Sequence, residues 1–96
     1  MSAIYHESYF DGKVQILGFH DFGEDAGIET CVVEPGEYDF GPAEHTETIT
    51  CTFNGLIVNG ISLSPGSEPF VIRPGDSRKL SAQKMVIYNC ITHVEP

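Results

Sequence analysis

The sequence predicts an all-β chain folded as one sandwich or barrel, on three observations. Turn signals recur at short intervals: Asp11-Gly12, Gly-Glu-Asp at 23–25, Pro35-Gly36, Gly41-Pro42, Asn54-Gly55, Asn59-Gly60, Ser-Pro-Gly at 64–66 and Pro-Gly-Asp-Ser at 74–77. The stretches between them are rich in β-branched and aromatic residues, which suit a pleated, half-buried surface. No stretch carries a sustained apolar stripe at the helical period, so no helix longer than about two turns is expected.

The first candidate strands are KVQILGF at 13–19, following the Asp11-Gly12 turn, GIETCVV at 27–33, ended by Pro35-Gly36, and EYDF at 37–40, ended by Gly41-Pro42. ETITCTF at 47–53 is the clearest, with Ile49, Cys51 and Phe53 on one side and Thr48, Thr50 and Thr52 on the other. Only a half-buried strand explains that period of two. LIV at 56–58 lies between the two Asn-Gly turns, and FVIR at 70–73 and RKLSA at 78–82 flank Pro74-Gly75. KMVIYNCITH at 84–93 has apolar residues at both parities, Met85, Ile87 and Ile91 against Val86, Tyr88 and Cys90. That is the pattern of a strand covered on both faces, central in a sheet or packed in a subunit interface. So many short strands leave exposed edges in an open sheet, a problem that a jelly roll solves.

Ninety-six residues can bury one core, so residues 1–96 are expected to form one domain. Five Lys and Arg against fourteen Asp and Glu give a formal charge of −9, which repels nucleic acid and anionic membrane surfaces. Residues 1–70 hold twelve of the acids and one base, Lys13, whereas Arg73, Arg78, Lys79 and Lys84 lie close together. An anionic small molecule is drawn to that segment, unless the bases only solubilise a strand pair. Cysteines 31, 51 and 90 show no CxxC pair and read as free thiols in a reducing cytoplasm. Neither a membrane-spanning run nor a signal peptide is expected.

From Gly36 to Gly55 the sequence has a glycine, a short gap, a cluster of candidate ligand positions and a closing glycine, the layout of the first cupin signature. Counted forward, the positions of the cupin metal ligands fall on Pro42, Glu44 and Thr48, with Arg78 at the last position after Pro74-Gly75. Of these only Glu44 is a metal-ligand type, and because adjacent strand residues face opposite sides, the neighbouring His45 and Glu47 do not converge with it, so no metal is expected. His45 is the histidine to carry forward, because it stands between two carboxylates, Glu44 and Glu47.

Tyr9-Phe10-Asp11-Gly12-Lys13-Val14 followed by Leu17-Gly18-Phe19, and Pro35-Gly36-Glu37-Tyr38-Asp39-Phe40, resemble the small cupin-like pyrimidine/purine nucleoside phosphorylases. Glu47 with Ile49-Thr50, then Gly55, Gly66-Ser67, Phe70, Gly75, Ser77, Tyr88 and Cys90 continue the resemblance in order through nearly the whole chain. The chain departs from the pattern by extra residues near His45, before Gly55 and between Gly66 and Pro74, and by Thr46 in place of a proline.

The resemblance implies a single cupin-type jelly-roll barrel, a homodimer, and cofactor-free phosphorolysis of purine and pyrimidine nucleosides to free base and ribose 1-phosphate. It makes Arg78 the favoured phosphate contact, with Arg73 and Ser77 beside it, because a guanidinium can bond an anion with two parallel N–H groups. Glu47 and Glu44 are the candidates to bond the ribose hydroxyls and to face the developing cation, Tyr38 or Phe40 to stack on the base, and His45 to bind substrate. The alternatives are a cupin that binds a small metabolite without catalysis and a metal-dependent small cupin enzyme. Base release in phosphate and the metal content of pure protein separate the three.

Overall fold

In a computed structural model, residues 2–21 and 26–93 are described, and the turn signal at 23–25 lies outside them. These residues form ten strands: β1 Ser2–Tyr9, β2 Val14–Asp21, β3 Ala26–Val33, β4 Gly36–Asp39, β5 Thr46–Phe53, β6 Leu56–Val58, β7 Ile61–Leu63, β8 Phe70–Ile72, β9 Lys79–Ala82 and β10 Val86–His93. They build two antiparallel sheets, one of six strands in the order β1-β2-β3-β10-β5-β8 and one of four in the order β4-β9-β6-β7. The predicted jelly roll is present, as two facing sheets that no strand ladder joins into a closed barrel among the described residues.

All eight candidate strands appear, and β10 is central, between β3 and β5. Two strands were not legible. β1 turns Tyr5, Glu7 and Tyr9 inward, so it carries no apolar alternation. β7 has three residues, squeezed between the Asn59-Gly60 turn and residues 64–66.

The core lies between the sheets. Val14, Val33 and Val86 are paired in one row across β2, β3 and β10, and with Val58 of the opposite sheet they are fully buried. Ile49 and Cys51 face this core as expected, but Phe53 does not. The register shifts between Ile87 and Tyr88, so Cys51 lies opposite Tyr88 while Phe53 lies opposite Ile87, and the bulge turns Phe53 out to 48% exposure.

The other face of the six-stranded sheet carries an apolar row of its own. Ile4, Phe19, Ile28, Ile91, Thr48 and Val71 are paired in one row from edge to edge, and its hydrophobic members are all exposed. Within the chain, then, β10 is covered on one face only, the one bearing Val86, Tyr88 and Cys90.

Candidate active site

Register explains where the core gives way to a cleft. Moving along the inner face of the six-stranded sheet, the row Val14, Val33, Val86 is followed by Ile16, Cys31, Tyr88, Cys51. Next comes Gly18, Glu29, Cys90, Ile49, and then His20, Gly27, Thr92, Glu47. Strand alternation aims these polar side chains at the space between the sheets.

The loop between β4 and β5 is pinned over that space by the Pro74-Gly75 turn. The Ala43 amide donates to the Asp76 carbonyl, the Gly75 amide to the Ala43 carbonyl, each at 2.9 Å, and the Phe40 amide to the Arg78 carbonyl at 3.0 Å. Gly75 makes the turn at φ 90°, a conformation costly for other residues. The Arg78 guanidinium then reaches back: Nε donates to the Gly41 carbonyl at 3.1 Å, Nη2 to the Phe40 carbonyl at 2.9 Å, and Nη1 to Glu47 Oε2 at 3.3 Å. The pair is half-buried, and the other Glu47 oxygen lies 3.6 Å from Cys90 Sγ, placed to accept from that thiol.

On the far side, Tyr5 donates its hydroxyl to Glu29 Oε2 at 2.8 Å. To reach it the ring crosses Gly18, where a Cβ would lie 2.1 Å from the ring. Tyr9 donates to Glu7 Oε2 at 2.8 Å, and its ring meets Phe40 edge-on. Burial, reinforced by the charges of Glu7 and Glu47, pushes the Glu29 carboxyl above the usual carboxylate range, against the opposing Tyr5 bond and Arg78. Burial also pushes the Cys31 thiol up to about 12 and raises Cys90, which favours the protonated form of both.

Two cavities open here. One, of about 350 Å³, is lined by Glu29, Glu44, His45, Glu47, Arg78 and Thr92. The other, of about 480 Å³, is lined by Tyr5, Glu7, His20 and Gly27 together with the same Glu29, His45 and Thr92. Sharing three residues, they are lobes of one cleft large enough for a small metabolite.

Glu44, His45, Glu47 and Arg78 are thus brought together as expected. Tyr38, Phe40, Arg73 and Ser77 do not line this cleft. Tyr38 is buried, its hydroxyl donating to the Glu34 carbonyl and its ring packed on Phe10. Phe40 is half-buried against Tyr9 and Phe10. Arg73 and Ser77 are exposed on the turn, where the Arg73 amide bonds Asp76 and the Ser77 carbonyl accepts from Asn59.

The forward count of ligand positions needs one correction. Thr48 pairs with Ile91 and Val71 on the outer face, and Glu47, one residue earlier and at the parity of the buried Ile49 and Cys51, is the inward residue. The donor set does not fit a cupin metal: the Arg78 guanidinium sits against Glu47, and no three His, Cys, Asp or Glu side chains among the described residues converge closely enough to hold an ion.

Sequence reading missed Tyr5, Glu7 and Glu29. For Glu29 the signal was present, since it shares parity with the core residues Cys31 and Val33 in GIETCVV. Gly18 was noticed only as part of a resemblance, and its physical role is to let Tyr5 cross.

Fold and cleft together define a small cupin. The structure superposes on an RmlC-like cupin from Shewanella frigidimarina with a TM-score of 0.73 at 14% identity, over 93% of this chain and 82% of that one. A Vibrio parahaemolyticus protein of unknown function gives a TM-score of 0.78 at 30% identity, over 93% of this chain and 97% of that one. No family model matches the chain. A curated relative named pyrimidine/purine nucleoside phosphorylase, from Vibrio parahaemolyticus serotype O3:K6, is 30% identical over 93 residues, covering 92% of this chain and 96% of its own. The chain belongs to the pyrimidine/purine nucleoside phosphorylase family.

Proposed function

We propose that this chain is a broad-specificity nucleoside phosphorylase, cleaving purine and pyrimidine nucleosides with inorganic phosphate in one domain and without a cofactor. The observation that carries this reading is the Arg78–Glu47 pair at 3.3 Å inside a cleft whose lining includes Glu29 and Glu44 with His45 and Thr92. In the reaction a phosphate oxygen bonds C1′ of the ribose, the C1′–N bond breaks, and its electron pair leaves with the base. C1′ becomes cationic on the way, and a cleft bearing the carboxylates of Glu44 and Glu47 favours that charge more than it favours the neutral nucleoside.

The same carboxylates repel phosphate, which therefore needs a fixed cation. Arg78 supplies it: its three bonds in the chain leave two of its five N–H groups for an anion. Glu47, held by Arg78, and Glu44 are the ribose-hydroxyl acceptors, and His45 lies between the two lobes to bind substrate. Arg73 and Ser77, on the same turn, act on incoming phosphate from outside the cleft, and Phe40, reached through Tyr9, closes the base side with Tyr38 behind it.

The protein works in the cytoplasm, where its three free thiols stay reduced. It acts as a homodimer, because the apolar row on the outer face of the six-stranded sheet needs a partner. No helix among the described residues is long and apolar enough to cross a membrane. The test is a panel of nucleosides incubated with pure protein and phosphate, read by chromatography. Phosphate-dependent release of free base is expected from several nucleosides, and release from none would overturn the reading.

A further inference from the structure

Glu29 stands at the junction of the two lobes, on the row between the apolar core and the Glu47–Thr92 mouth. It faces Tyr5 and Glu7 of β1, His20 of β2, Cys90 of β10 and Glu47 of β5, with Cys31 beside it on β3 and His45 and Arg78 across the cleft. Its orientation is built rather than incidental. The Tyr5 bond fixes Oε2, and that bond exists because Gly18 leaves room for the ring. Oε1 is then the atom left to carry a proton.

We propose that Glu29, in its acid form, donates the proton that lets the base leave, with Tyr5 as its positioning residue; this rests on the phosphorolysis reading. An expelled purine or pyrimidine anion is a poor leaving group until a ring nitrogen or carbonyl oxygen takes a proton. In the step, the phosphate dianion forms the O–C1′ bond and the C1′–N bond gives its electron pair to the base. The Glu29 proton passes to the base, and the proton that phosphate loses on becoming an ester resets Glu29. Charge and protons balance with no further reactant. A carboxylic acid between the lobes serves purines and pyrimidines alike, since each offers an acceptor near the glycosidic bond. The environment that favours the acid form, burial beside Glu7 and Glu47, supports the same role.

The experiment compares the wild type, Glu29→Gln and Tyr5→Phe on guanosine and on 7-methylguanosine, whose base is already cationic and leaves without a proton. Glu29→Gln keeps the Tyr5 bond and should lose roughly 100-fold or more in kcat on guanosine, while 7-methylguanosine changes by about threefold at most. Equal loss on both substrates, or no loss on either, would overturn the proposal. Tyr5→Phe removes the bond that favours the carboxylate, so the alkaline limb of its kcat–pH profile with guanosine should move to higher pH; a limb that stays put also overturns it. Wild-type protein that releases base from neither substrate sinks the phosphorolysis reading itself, a result that the other arms do not produce.

Discussion

Arg78 ties four groups at once: two loop carbonyls, a carboxylate and, in the proposed reaction, phosphate. Arg78→Ala should therefore lower kcat/KM for phosphate by roughly 30-fold or more, the effect of losing a charged bond worth about 2–5 kcal/mol to a desolvated anion. Arg78→Lys should restore only part of it, since an ammonium keeps the charge but not the fork. Steady-state kinetics with phosphate varied at saturating nucleoside reads this, and an unchanged phosphate dependence would remove Arg78 from the role. Glu29 makes a prediction about stability. Its carboxyl is raised in the fold, mainly by burial, so over the window between its ordinary and its folded value the folded state binds more protons than the unfolded one. Stability contributed by the acid form is complete below the ordinary value and is lost as pH rises through the folded one. Glu29→Gln has no such loss. Denaturant midpoints should show the variant gaining on the wild type as pH rises through this window, and a gap independent of pH would contradict the shift.

At the level of strands, the contact between β1 and β3 depends on what β2 lacks. Gly18→Ala puts a Cβ into the Tyr5 ring; the ring can swing away, but the Glu29 bond then goes with it. A destabilisation of about 1–3 kcal/mol is expected, as for other overpacked sites. In a double-mutant cycle with Tyr5→Ala the cost should largely vanish, which denaturation of the four proteins measures. This triad also marks where sequence reading stopped. β5 was legible because Ile49 and Cys51 alternate with threonines, and β9 because Pro74-Gly75 announced it. Glu44 and Arg78 were legible from the spacing of the cupin signature, His45 from its place between two carboxylates, and Glu47 from the resemblance carried by Glu47 and Ile49-Thr50. β1 was not, because its inward residues are the polar Tyr5, Glu7 and Tyr9, so its alternation carries no hydrophobic signal. Phe53 shows the converse limit: its periodicity was right, and a bulge in the pairing with β10, a tertiary event, turned it outward. Tyr38 and Phe40 were placed by the right motif but packed into an aromatic cluster with Phe10 that adjacency in sequence does not reveal.

Over the whole molecule, the six-stranded sheet separates the cleft of the proposed chemistry from the apolar row of the proposed dimer. Its inner face holds the core and the cleft, and its outer face carries the row Ile4, Phe19, Ile28, Ile91 and Val71, with Leu17 one row along. Exposed rows of this kind mark interaction surfaces. In a two-fold dimer each residue of the patch appears twice in the interface, so one substitution acts on both subunits. Ile28 is at the middle of the row, 51% exposed in the isolated chain, paired with Phe19 on one side and Ile91 on the other. Its side chain points away from the cleft lined by Glu29. Ile28→Lys places two like charges in a desolvated apolar contact, a cost of several kcal/mol, so the dissociation constant should rise roughly 100-fold or more. The isolated subunit loses nothing from its core by this change. Light scattering across a concentration series should return a dimer for the wild type and a monomer for the variant, with circular dichroism unchanged. A wild-type monomer at micromolar concentration would refute the dimer, and an undisturbed dimer in Ile28→Lys would move the interface to another face. Kinetics of the monomeric variant then ask whether the cleft is complete within one chain. The apolar row and the cleft lie on opposite faces of the same sheet, so kcat should stay within about twofold of the wild type.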